Sequence, residues 1–136
     1  MAHIHRKTLI DVPIEKVWAA LADVGALHTR LVPGFVIDCV YDGEVRTLTF
    51  GNGLVARERI IDVDPGRKRV AWSAEGGNLA HHSTSAQLFD AGGGTCRVVW
   101  LADLLPHKAA PTIATMIEQG LAAMKRHLEA AKKAPL

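Results

Sequence analysis

LIDVPIEKVW at residues 9–18 and the helix-patterned stretch PTIATMIEQGLAAMKRHLEAAKK at residues 111–133 enclose a middle built almost wholly of short strand-like segments. In the first stretch, Asp11 begins a turn and Pro13 suits a first helical turn, because proline lacks an amide hydrogen and has a fixed φ. Apolar residues then recur with the spacing of one buried helix face, and they are Ile14, Val17, Trp18 and Leu21. This order of elements predicts one long helix laid across a sheet, with a cavity between them.

Six strand-like segments follow the first helix, and turn residues such as Asp42-Gly43 and Gly76-Gly77-Asn78 separate them. The segments are residues 35–41, 44–50, 54–63, 68–75, 79–89 and 95–104. Residues 3–11 form an earlier edge strand. Gly25 ends the first helix, and residues 26–32 offer a second short helical stretch before Pro33-Gly34 stops it. The sequence therefore predicts seven strands, with two short helices between the first and the second.

The last helix has one apolar face, formed by Ile113, Met116, Ile117, Gly120, Leu121, Met124 and Leu128. It is the only element long enough to cover the core face of an antiparallel sheet, so the sheet must curl around it. We therefore predict one α+β domain over residues 1–136, in which a curved, seven-stranded antiparallel sheet wraps around a long C-terminal helix.

Composition excludes several classes of function. The 136 residues are 49% hydrophobic, and 16 basic and 14 acidic residues are spread along the chain. No block of like charge offers a nucleic-acid surface. The chain begins without the features of a signal peptide, and no apolar run approaches the roughly 20 residues of a membrane span. These features predict a cytoplasmic protein that neither binds nucleic acid nor inserts into membranes.

Neither a metal nor a cofactor is predicted. Cys39 and Cys96 lie far apart without ligand-spaced neighbours, which indicates two reduced, buried thiols. His3 and His5 have i, i+2 spacing on a strand, but two ligands alone are typical of a solvated edge. Neither glycine-rich turn, at residues 51–53 or 92–94, has the lysine or following helix of a phosphate-binding loop.

The chain resembles the START-like, or SRPBCC, superfamily, which has the helix-grip fold known from the birch pollen allergen, and within it the polyketide cyclase/dehydrase-like branch. The resemblance covers nearly the whole chain and rests on residues 10–18, residues 57–64, Trp72, Trp100 and the closing amphipathic helix. It implies a pocket between the sheet and the last helix that binds a small hydrophobic molecule such as a lipid, an aromatic compound or a polyketide. Fold alone does not fix a function.

Alternation along two strands turns Trp72 and Trp100 toward the predicted pocket, where they form an aromatic wall or ordinary core packing. Met116, Ile117, Gly120 and Met124 of the last helix would face them. The methionines suit an adaptable lining, and Gly120 would leave room that a larger side chain fills. His28, in the second short helix, could border the pocket entrance or lie in an exposed loop.

Glu58 and His82 are the candidate catalytic residues. Two outward arginines place Glu58 inward on its strand, and His82 shares a face with Thr84 and Ala86. A carboxylate and an imidazole that meet across the sheet could remove a proton next to a carbonyl and return one to the oxygen. Alternatively, Glu58 is held in a structural ion pair, for instance with an arginine, and His82 faces the surface.

Three functions therefore stay open. The first is binding of a small hydrophobic ligand between the sheet and the last helix. The second is a cyclase, dehydratase or isomerase that uses Glu58 and His82 as base and acid. The third is a protein-interaction module with a filled interior and an exposed apolar patch. The edge strand at residues 35–41 could also mediate a homodimer.

Overall fold

A computed structural model describes residues 2–75 and 79–132 of the chain. Its strands are β1 (Ala2–Ile10), β2 (Val36–Tyr41), β3 (Val45–Phe50), β4 (Val55–Asp64), β5 (Arg69–Glu75), β6 (His81–Gly92) and β7 (Thr95–Leu105). Its helices are α1 (Ile14–Ala22) and α2 (Ala110–Lys132), with a π-helical turn at Leu27–Leu31 and a 3-10 turn at His107–Ala109. The predicted turn Gly76-Gly77-Asn78 and the predicted helix end at Lys133 lie outside the described residues.

The seven strands form one antiparallel sheet in the order β1-β7-β6-β5-β4-β3-β2. β2 to β7 make a meander, and β1 pairs with β7 along its whole length, from Ala2 opposite Leu104 to Ile10 opposite Cys96. β1 and β2 are therefore the two edges of the sheet. The helix-grip fold is confirmed, including the two short helical segments between β1 and β2.

The core lies between the concave face of the sheet and the two helices. α1 contributes Val17, Ala20 and Leu21. α2 contributes Ile117, Leu121, Ala123, Met124 and Leu128. These residues recur at helical spacing, so each helix buries one face and leaves the other to solvent. From the sheet, the alternating residues of β7 are buried: Cys96, Val98, Ala102 and Leu104.

The second short helix is a single π-helical turn. The amide of Val32 donates to the carbonyl of Leu27 over 2.8 Å, which is the i to i+5 pattern of a π-helix. Leu27 and Leu31 are both buried. Gly25 and Pro33 limit the segment to this one turn, because glycine disfavours and proline prevents a continued helix.

Within the described ranges, no helix is long and apolar enough to span a membrane. The same residues contain no group of three or more His, Cys, Asp or Glu side chains placed to hold a metal ion.

Candidate functional site

A cavity of about 210 Å³ lies between the concave face of the sheet and α2. Trp72 and Trp100 line it from the sheet, and Met116, Ile117 and Met124 line it from α2. Most of the remaining lining is also apolar and comes from Leu21, Leu27, Leu31, Val32, Phe35, Val36, Leu48, Phe50, Val55, Ala56, Ala74, Leu79, Ala86 and Ile113. The polar lining residues are Arg46, Glu58, Glu75, His82 and Thr84.

The two tryptophans form one wall of the cavity. Their rings meet edge to face, with centroids 5.7 Å apart and planes at 66°. Trp100 Nε1 donates to Thr84 Oγ1 over 2.8 Å, and the Thr84 hydroxyl donates to the carbonyl of Leu101 over 2.8 Å. These two hydrogen bonds fix the Trp100 ring, so the wall is rigid on the β6 and β7 side.

Gly120 does not border the cavity, although it lies on the buried face of α2. A Cβ atom at this position would lie 3.0 Å from Trp100 Cζ3 and 3.2 Å from Phe35 Cε2. The space that Gly120 leaves is therefore occupied by two aromatic rings. Gly120 therefore lets these rings approach the helix. The open space predicted beside Gly120 is bordered by other residues of α2, namely Met116, Ile117 and Met124.

A buried ion pair stands at the polar end of the cavity. Arg46 Nε donates to Glu58 Oε1 over 2.8 Å, and the exposed fractions of the two side chains are 3% and 12%. Arg46 Nη1 also donates to the carbonyl of Val24 over 3.3 Å, and the guanidinium carbon lies 5.0 Å from the centre of the Trp72 ring. The guanidinium is thus held by an ion pair, a backbone carbonyl and an aromatic face.

Sequence reasoning missed Arg46, although the alternation of β3 contains the information. Arg46, Leu48 and Phe50 lie two residues apart and share one face. Because Leu48 and Phe50 must face the core, Arg46 must face it too. The antiparallel register then sets Arg46 directly opposite Glu58, which gives the inward carboxylate its partner.

Glu58 and His82 both line the cavity, but β5 lies between their strands. Glu58 is opposite Ala74, and Ser73 is opposite Ser83. Continuing that register by one residue puts His82 on the other side of Ala74. The two Cα atoms are therefore separated by two strand spacings, about 10 Å. The hydrogen bond of Glu58 is to Arg46, so the two candidate residues face one space without a direct bond to each other.

His82 is half-buried, and its Nδ1 atom is buried without a hydrogen-bond partner among the residues that the structure describes. Burial lowers the pKa of His82 below the usual value for histidine, and the neighbouring His81 lowers this pKa further. The imidazole is therefore neutral at pH 7. A neutral imidazole at the cavity wall can exchange a hydrogen bond with a ligand, and because Nδ1 itself is buried, the ligand would reach the other ring nitrogen or require the ring to turn.

His28 lies in the π-helical turn and does not border the cavity. It is half-buried, and its Nδ1 atom also has no partner within the described ranges. Both cysteines are buried and free. Burial raises the pKa of Cys96 to about 11, so this thiol is protonated at neutral pH and is a poor nucleophile.

A second, outer pocket of about 190 Å³ adjoins the first and is lined by Gly34, Phe35, Phe50, Gly51, Asn52, Met116 and Gln119. Phe35 and Phe50 stand between the two spaces, edge to face, with centroids 5.3 Å apart. The Gly51 amide donates to the Phe35 carbonyl over 2.9 Å. A Cβ atom on Gly51 would lie 2.4 Å from the Gly34 carbonyl oxygen, so only glycine permits this contact between the two loops.

Comparison with known proteins gives a family and a shared fold. The family described as polyketide cyclase / dehydrase and lipid transport matches residues 1–129. No curated protein sequence matches the chain significantly.

Among solved structures, an uncharacterized protein from Bacillus thuringiensis has a TM-score of 0.84 at 18% identity, over 93% of this chain and 98% of its own. The di-domain ARO/CYC BexL from the BE-7585A biosynthetic pathway has a TM-score of 0.83 at 21% identity, and the match covers 98% of this chain and 48% of BexL. A START superfamily protein from Mycobacterium smegmatis has a TM-score of 0.68 at 13% identity, over 95% of each chain. At these identities the likeness shows the fold.

Proposed function

The chain belongs to the polyketide cyclase / dehydrase and lipid transport family, and from that membership we propose that it binds a small hydrophobic molecule between the sheet and α2. The family match and the START superfamily neighbour confirm the resemblance found in the sequence. The observation that supports binding most directly is the cavity of about 210 Å³ with its largely apolar lining and its wall of two tryptophans. An apolar ligand that enters it loses its contact with water and gains close contact with these rings.

The size of the cavity favours a compact ligand. A cavity of about 150 Å³ lined by apolar side chains is large enough for benzene. The cavity here is moderately larger and is bounded by rigid aromatic walls. We therefore favour an aromatic or polyketide-like molecule of one or two rings over an extended lipid chain.

Tryptophan fluorescence tests the binding proposal. Two of the three tryptophans line the cavity, and Trp18 does not, so a Trp18→Phe variant confines the emission to the cavity. We expect bicyclic aromatic compounds to change this emission with saturation and to raise the melting temperature. A long-chain fatty acid should do so less strongly.

A pair of alanine substitutions provides the control. Ala74 lines the cavity, whereas Ala71 lies on the opposite face of the same strand. Ala74→Leu should fill the space and abolish binding, and Ala71→Leu should leave binding intact. Equal binding by both variants, or no response of the parent protein to any aromatic compound, would refute the proposal.

A second candidate function is acid/base catalysis by Glu58 and His82 on a ketone held in the same cavity. The observation that favours it is the neutral, unpartnered imidazole of His82 facing the space that Glu58 borders. The His82 imidazole would take a proton from the carbon next to the ligand carbonyl. The Arg46 guanidinium, held in place by Glu58, would face the carbonyl oxygen, where negative charge develops.

Deuterium exchange tests this second function without the natural substrate. With 2-tetralone in D₂O, the protein should accelerate exchange of the protons next to the carbonyl, measured by NMR. His82→Leu should lower this acceleration by about 100-fold or more. His81→Leu, on the outer face, should not. An unchanged rate in His82→Leu would exclude His82 as the base.

A further inference from the structure

Four residues form one row across the inner face of the sheet, and we call it the polar row. Arg46 on β3 is opposite Glu58 on β4, and Glu58 is opposite Ala74 on β5. The β5 and β6 register continues the row to His82. All four residues line the cavity. The small side chain of Ala74 therefore leaves a gap in the row, with Glu58 on one side and His82 on the other.

The charges of the polar row cancel. Arg46 is almost completely buried and its nearest ionic partner is Glu58, at 2.8 Å. Its positive charge is therefore already compensated and attracts an anion only weakly. Glu75 also borders the cavity, but its carboxylate is paired with Arg59 at 2.9 Å on the outer face of the sheet, so it supplies no cation for a ligand. A ligand carboxylate placed here would lose its hydration without gaining an unpaired cation.

The hydrogen-bonding capacity of the row is only partly used. Arg46 donates through Nε and Nη1, and Glu58 accepts through Oε1. Within the described part of the chain, Arg46 Nη2, Glu58 Oε2 and the imidazole of His82 have no hydrogen-bond partner. Donor and acceptor positions thus border the gap above Ala74. A hydroxyl group satisfies both kinds of position, because it donates one hydrogen bond and accepts others.

We propose that the cavity selects neutral, hydroxylated ring compounds, whose hydroxyl group lies over Ala74 between Glu58 and His82, and that it rejects the corresponding carboxylates in spite of the buried arginine. This inference rests on the proposed binding function and specifies its ligand class. His82 and Arg46 are then specificity-determining residues, and the Glu58 carboxylate is the group that removes the affinity of Arg46 for anions.

Three probes of similar shape test the selectivity, namely 2-naphthol, 2-methylnaphthalene and 2-naphthoate, each titrated by calorimetry at pH 7.5. We expect 2-naphthol to bind about tenfold more tightly than 2-methylnaphthalene, the gain typical of one well-placed hydrogen bond. We expect 2-naphthoate to bind most weakly. Preference for 2-naphthoate, or equal affinity for the first two probes, would overturn the inference.

The same titrations separate this inference from the function on which it rests. If 2-methylnaphthalene binds and the hydroxyl group brings no gain, the binding function stands and the selectivity is refuted. If none of the three probes binds, both are refuted.

Two variants locate the selectivity in the polar row. His82→Leu should remove the advantage of 2-naphthol while 2-methylnaphthalene still binds, and His81→Leu should keep the advantage. Glu58→Gln leaves the charge of Arg46 uncompensated, so the affinity for 2-naphthoate should rise at least tenfold. If Glu58→Gln does not fold, His82→Leu alone decides. The inference is overturned if His82→Leu still binds 2-naphthol more tightly than 2-methylnaphthalene.

Discussion

The two faces of the sheet carry the same kind of ion pair in two different environments. On the inner face, Arg46 and Glu58 lie 2.8 Å apart with exposed fractions of 3% and 12%. On the outer face, Arg59 and Glu75 lie 2.9 Å apart with exposed fractions of 45% and 36%. The distances are nearly equal, so distance does not distinguish the pairs. Water screens the outer pair, whereas each charge of the inner pair depends on its partner.

The largest expected effect is the difference between two arginine substitutions. Arg46→Met leaves Glu58 buried without its cation, which should lower the free energy of unfolding by about 3–5 kcal/mol. Arg59→Met removes two exposed ion pairs, with Glu75 and Glu44, and should cost about 0–1 kcal/mol. Urea denaturation followed by tryptophan fluorescence measures both values.

A double variant sharpens this comparison. Replacing both members of the inner pair by apolar residues, Arg46→Met with Glu58→Leu, leaves no unpaired charge, so much of the stability lost in Arg46→Met should return. Equal losses in Arg46→Met and Arg59→Met would show that burial does not distinguish the two faces.

Adjacent residues of β6 extend the comparison to hydrogen bonds. Thr84 faces inward and accepts from Trp100 Nε1, whereas its neighbour Ser83 is exposed. Thr84→Val keeps the shape but leaves the indole N–H of Trp100 unpaired, which should cost about 1–3 kcal/mol of unfolding free energy. Ser83→Ala should change it by less than about 0.5 kcal/mol.

The readout is again urea denaturation, together with the emission spectrum of the folded state. Thr84→Val should also alter the emission of Trp100, because the ring loses the bond that fixes it. A Thr84→Val variant as stable as Ser83→Ala would contradict the assigned role of this hydrogen bond.

The smallest expected effect is the pH dependence that His82 brings. The pKa of His82 is lowered from 6.5 by burial and by His81, so the unfolded chain takes up this proton more readily than the folded protein. The resulting stability is complete above pH 6.5 and is lost as the pH falls through the folded pKa. The slope is at most about 1.4 kcal/mol per pH unit.

Unfolding free energies at pH 7.5, 6.5 and 5.5 test this dependence. His82→Gln should be less sensitive to acid than the parent protein, and His81→Gln on the outer face should remain nearly as sensitive as the parent. If His82→Gln kept the full acid sensitivity, another group would be responsible for it.

Most of the fold could be predicted from the sequence, because the spacing of hydrophobic residues and the position of turn residues determine secondary structure over short stretches of chain. The alternation of apolar and polar residues between glycine-rich turns predicts the strands, and the apolar face of residues 113–128 predicts the last helix. The π-helical turn at Leu27–Leu31 could not be predicted, because hydrophobic spacing over five residues does not separate an i to i+4 from an i to i+5 hydrogen-bond pattern.

The site was harder to predict because it depends on which strands are neighbours. Alternation alone indicated that Glu58 faces inward, but its partner Arg46 follows from the β3 and β4 register. The relation of Glu58 to His82 depends on β5 standing between them. Gly120 shows a third limit of prediction from the sequence. A glycine in a helix can border open space or let a neighbouring ring approach. Here the packing of Trp100 and Phe35 against Gly120 decides for the second alternative.

The pairing of β1 with β7 also has a consequence for biosynthesis. His3 contacts Asp103 across a separation of 100 residues, so β1 has no sheet partner until the ribosome has released residues 95–105. Such distant pairing is typical of slow folding. We expect β1 to stay unpaired, and exposed to chaperones and proteases, until residues 95–105 have left the ribosome.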